Sequence, residues 1–154
     1  MSENRSLPHP SEQPFDLNRF LEAQKEDYEV ALSEILNGKK RSHWMWYIFP
    51  QYAGLGLSST SQYFAIKSLA EAKAYLGHSI LGMRLVECCE AMLQINGRTA
   101  RQILSSPDDL KLCSCATLFA AISPAGSVFH RIIDKYFGGQ NDEKTLQLIG
   151  QDAE

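Results

Sequence analysis

No uninterrupted apolar run in this chain approaches the ~18 residues that cross a bilayer, so no membrane-spanning helix is expected. The opening stretch, MSENRSLPHPSEQPF, lacks the apolar segment of a secretory signal, and a cytoplasmic location is expected. Cysteine is scarce and badly spaced for metal. Cys88-Cys89 and Cys113-Ser114-Cys115 do not give the spacing of a zinc knuckle. In a reducing compartment all four are expected to be packing residues. No P-loop and no G-x-S-x-G element occurs. His43, His78 and His130 have no metal-ligand spacing, so neither a metal nor a cofactor is expected. Basic residues are outnumbered 15 to 18, for a net charge of −3, and a generic nucleic-acid binder is not expected.

What is present fits one soluble domain. The 154 residues are 44% hydrophobic and 21% charged, enough to bury a core without a staple. Pro8, Pro10 and Pro14 stand among polar residues, so residues 1–15 read as a flexible tail and 16–150 as the domain. From Asp16, an expected N-cap, apolar residues recur at helical spacing to Leu36, and Asn37-Gly38 ends that helix. Pro50 ends a bulky segment over 43–49, read as a short helix capped by Ser42, with a strand as the alternative. Residues 50–61 read as a glycine- and serine-rich loop. Further helices are expected over 69–76 (capped by Ser68), 79–96, 98–104, from Ser106-Pro107 to Ile122, 128–137 (capped by Ser127) and 142–149. The fold class is therefore all-α, with about six to eight helices.

Charge is unevenly distributed. No acid stands between Glu34 and Glu71, while Lys39, Lys40, Arg41 and Lys67 do. The same stretch holds Trp44, Trp46, Tyr47, Phe49, Tyr52, Tyr63 and Phe64, which include both tryptophans of the chain. Aromatic faces stack on bases or sugars, and cationic side chains hold phosphate, so a small phosphorylated or nucleotide-like ligand is the expected partner. The contacts expected are Arg41 for the anion, with Trp44, Trp46, Gln51, Gly54 and Gly56 around it. The competing reading makes Trp44, Ile48 and Phe49 core anchors and the Lys-Lys-Arg run a helix end. Were the site catalytic, His43 would be the acid or base, with Asp108 or Asp109 positioning water. The competing reading of those two acids is helix capping.

The string GKKRSHWMWYIFPQ over 38–51 resembles the signature of a family of small, mainly bacterial proteins of unknown function, some of them mislabelled calpastatin. The likeness continues in EAKAYLGH at 71–78, LGMRL at 81–85, PDDLKL at 107–112, TLFA at 117–120 and FGG at 137–139. It implies an all-α fold and no established activity. Cys113, Ser114 and Cys115 stand where the family carries a basic residue and two serines, which leaves Ser114 and Thr117 as polar ligand contacts. A fainter likeness of QYFAIKSLAEA to the NADAR superfamily implies an N-glycosidase acting on ADP-ribose or nucleotides. The rival to both is a protein-interaction module, which would carry its tryptophans on a flat exposed patch rather than in a hollow.

Overall fold

The computed structural model describes residues 15–152 and is all-helical there. The expected tail over 1–15 lies, except for Phe15, outside the described residues. The helices are α1 (Asn18–Leu36), α2 (Met45–Ile48), α3 (Ser59–Phe64), α4 (Leu69–Gly77), α5 (Leu81–Leu93), α6 (Ala100–Leu104), α7 (Asp108–Ala120), α8 (Val128–Phe137) and α9 (Glu143–Asp152). The last runs past its expected end at 149 and past the expected end of the domain at 150. Among the described residues the extended pairing is one parallel bridge, Tyr52 to Ile66.

Helix α7 is the central element. Leu112 to Ala120 are buried without a break, because α4, α6, α8 and α9 all pack on it. A helix apolar all round belongs inside. Helix α1 is amphipathic instead and buries Phe20, Gln24, Tyr28, Ala31 and Ile35 against α5 and α2. An aromatic spine joins these layers: Phe20 meets Tyr75 edge-on at 4.9 Å, Tyr75 meets Phe119 at 5.7 Å, and Phe119 meets Phe129 at 5.5 Å. Where α4 turns into α5, a Cβ on Gly82 would lie 1.9 Å from the Leu76 carbonyl oxygen, so that approach requires glycine.

The buried polar groups between α1 and its neighbours are matched. Gln24 donates to the Tyr47 carbonyl at 2.8 Å and to the Tyr75 hydroxyl at 3.2 Å, and accepts from Arg84 at 3.2 Å. Arg19 pairs with Glu71 at 2.9 Å and donates to the Tyr63 and Ala65 carbonyls, tying α1 to α4 and to the end of α3. An ion pair buried this completely survives only when its remaining donors are satisfied, as these are.

Two expected caps work as read: Ser68 accepts from Glu71 N–H, and Ser127 from His130 N–H. Three helix starts differ. Helix α1 begins after Leu17 with no side-chain cap, while the Asp16 carbonyl accepts from Arg19. The short helix begins at Met45, since the Ser42 hydroxyl is taken by Glu34. Helix α7 begins after Pro107 with no side-chain cap. Helix α3 occupies the end of the expected loop.

Candidate functional site

The turn from Lys39 to Trp44 is pinned by a single carboxylate. Glu34 Oε1 accepts from Arg41 N–H at 2.8 Å, Ser42 N–H at 3.0 Å and the Trp44 indole at 2.8 Å, and Oε2 accepts from the Ser42 hydroxyl at 2.6 Å. Burial alone would raise this carboxyl; the donors from Ser42, Arg41 and Trp44 outweigh burial and hold it down to about 2.

That arrangement divides the expected site. Trp44 is 1% exposed, with its indole N–H given to Glu34, so it is a core anchor and offers no face to a ligand. Arg41 and His43 are exposed on the outside of the turn. His43 gives its carbonyl to the Tyr47 hydroxyl at 3.2 Å. No hydrogen bond or ion pair among the described residues joins the His43 ring to Asp108 or Asp109. Ser114 is buried with its hydroxyl on the Leu110 carbonyl at 3.2 Å, and Thr117 is buried and accepts from Asp142 N–H at 2.9 Å. Both hydroxyls are occupied within the fold. Gly54 is exposed, with φ +102°, and faces the Leu148 side chain.

Three expected residues do come together. Trp46, Gln51 and Gly56 line one small recess with Tyr52, Ser61 and Ala65. Trp46 and Gln51 are half-buried, and neither the Trp46 indole nor the Gln51 amide has a hydrogen-bond partner among the described residues. The recess is nearly closed, at about 10 Å³, room for one water-sized group. A Cβ on Gly56 would lie 2.5 Å from Ser61 Cβ, so only glycine lets this loop lie against α3. The Tyr52 hydroxyl is pushed up to about 12 by burial and by its bond to Asp152.

Two lysines connect this recess to the start of α7. Lys111 Nζ stands over the Trp46 ring, 5.6 Å from its centroid, and Lys40 Nζ stands over Trp44 at 5.2 Å. Asp108 lies between them, with Oδ2 2.9 Å from Lys40 and Oδ1 3.7 Å from Lys111. Asp108 is thus neutralised by Lys40, while Lys111 is held loosely and stays partly open to water. Neither lysine was among the expected contacts. Lys111 was legible as the residue one turn after a helix-starting acid, and Lys40 as a member of the Lys-Lys-Arg run. Asp109 keeps Oδ1 covered and without a partner among the described residues.

The four cysteines are free and buried. Burial pushes the Cys88 thiol up to about 12 and raises Cys89, Cys113 and Cys115, so thiolate chemistry is suppressed at each.

No curated protein matches this chain. The crystal structure of a conserved hypothetical protein, Rv1873, from Mycobacterium tuberculosis is similar at a TM-score of 0.88 and 46% identity, covering 90% of this chain and 99% of that one. A family model described as "Protein of unknown function (DUF1810)" matches residues 14–149. With nearly the whole chain matched, the protein belongs to the DUF1810 family, whose function is unknown.

Proposed function

We propose that this protein binds a small planar ligand carrying an anionic group, of the phosphorylated or nucleotide-like kind, at the Trp46 recess. The observation that carries the reading is the convergence of a half-buried indole, a Gln51 amide with no hydrogen-bond partner among the described residues and, over the indole, the loosely held Lys111 ammonium. A ring stacks on Trp46, Gln51 reads its edge, and Lys111 turns from Asp108 to the anion. Asp108 tolerates that loss because Lys40 stays at 2.9 Å. A recess of about 10 Å³ admits such a ligand only when the loop before α3 swings outward.

Binding is favoured over hydrolysis. An N-glycosidase of the NADAR kind needs an acid or base at the scissile bond, and the described residues lining this recess include no carboxylate and no histidine. An interaction surface built on both tryptophans is disfavoured by the burial of Trp44.

Calorimetry against nucleotides, ADP-ribose and sugar phosphates tests the reading. Lys111→Met keeps the stem and removes the charge, and should weaken binding about ten- to a hundredfold. Trp46→Phe should weaken it while leaving the fold intact. The reading fails if nothing in the panel binds, or if both variants bind as the parent does.

A further inference from the structure

A second feature is independent of the recess. Residues 35–70 contain no acid, and neither do residues 91–107, which carry Arg98 and Arg101. The fold sets these two stretches side by side. Lys40 N–H donates to the Ile103 carbonyl at 2.7 Å, and Arg98 donates to the Gly38 and Gln102 carbonyls at 3.1 and 3.0 Å. Lys135 of α8 joins them by donating to the Leu93 and Ile95 carbonyls at 2.6 and 2.5 Å. An open cleft of about 350 Å³ lies between the second stretch and α8, lined by Gly97, Arg98, Thr99, Lys135 and Tyr136.

Three nearby acids are engaged. Glu34 is held by its four donors, Asp108 by Lys40, and Glu90 stands 3.7 Å from Arg131. Asp134, beside Lys135, is exposed and makes no side-chain hydrogen bond or ion pair among the described residues. Part of the positive charge answers the ends of α1, α5 and α6, whose carbonyl termini meet here and take the bonds from Arg98 and Lys135. Lys39, Arg41 and Arg101 are different: they are exposed and make no side-chain hydrogen bond or ion pair among the described residues. The Glu34 pin fixes the turn that carries Lys39 and Arg41, so little backbone freedom is lost when they engage a partner.

We infer that the corner formed by Lys39, Arg41, Arg98, Arg101 and Lys135 docks a short Asp/Glu-rich segment of a partner protein. Charge complementarity selects the acidic partner, and size selects a short one. The chain's net −3, less these five positive charges, leaves −8 elsewhere, and a long nucleic acid would meet that field beyond the corner. The corner also offers bases little to stack on, since Tyr136 is half-buried and its ring faces the Lys135 ammonium at 5.4 Å.

The test is fluorescence anisotropy of a labelled Asp/Glu-rich dodecapeptide beside labelled single- and double-stranded DNA, at low salt. The parent should bind the peptide more tightly than either DNA. Combining Lys39→Glu, Arg41→Glu and Arg101→Glu should weaken the peptide about tenfold or more. Combining Lys25→Glu, Lys73→Glu and Lys144→Glu changes net charge equally at exposed sites elsewhere and should leave binding within about twofold. Glutamine at the three corner positions replaces glutamate should the first variant lose its helical circular dichroism. The inference is overturned if the parent does not bind the peptide, if the control loses as much as the corner variant, or if DNA binds more tightly.

Discussion

Replacing Glu34 by glutamine should loosen the turn on which the basic corner depends, and in a pH-dependent way. The carboxylate accepts four hydrogen bonds, and its folded value of about 2 lies below the ordinary 4.5. A difference of that size corresponds to about 3 kcal/mol, which partial exposure to water reduces to about 2 kcal/mol. Because the folded state holds this proton less tightly than the unfolded state, the contribution is present above about pH 5 and is lost as pH falls toward 2. Glutamine keeps one acceptor oxygen but turns an NH₂ toward the Ser42 hydroxyl. Urea denaturation at pH 7 should therefore show Glu34→Gln about 2 kcal/mol less stable than the parent. The gap should close as both are taken toward pH 2–3. A gap below about 0.5 kcal/mol at pH 7, or one that does not change with pH, would refute the pin.

Four other substitutions have definite outcomes. Trp44→Phe empties buried volume and removes one of the four donors to Glu34, costing about 2–4 kcal/mol in denaturant unfolding, whereas Trp46→Phe should cost under about 1 kcal/mol; equal costs would contradict the division between them. Gly82→Ala drives a methyl into the Leu76 carbonyl, so thermal unfolding should shift down by well over 10 °C or the protein should not fold; near-parental melting would show that α4 and α5 separate easily. Thr117→Val leaves Asp142 N–H without its acceptor, and amide exchange should quicken in α9 more than in α1.

Much of the fold was legible because its signals are local. The serines that cap α4 and α8, and the i, i+4 spacing along α1, lie within single helices. Helix α3 was not, because STSQYF has no apolar period. It is held by Phe64 packing on Phe20 at 5.8 Å and Tyr47 at 5.1 Å, partners distant in sequence. The missed start of α2 shares that cause. Ser42 had the form of a cap, but a carboxylate a full two turns back on α1 claimed its hydroxyl. The site followed the same rule. Aromatic and basic density marked the segment that carries both tryptophans, yet which of them is buried is decided by Glu34, and the cation over Trp46 comes from α7.

The ligand site is tested most directly by the two indole N–H signals in a ¹H–¹⁵N spectrum, as AMP, ADP-ribose and glucose 6-phosphate are added in turn. The Trp44 signal, locked on Glu34, serves as the internal reference, and the Trp46 signal reports the recess. At least one compound should move the Trp46 signal in a saturable way, leave Trp44 in place, and lose that effect in Lys111→Met. If no compound moves Trp46, or if both indoles move together and do so equally in Lys111→Met, the recess is not the binding site.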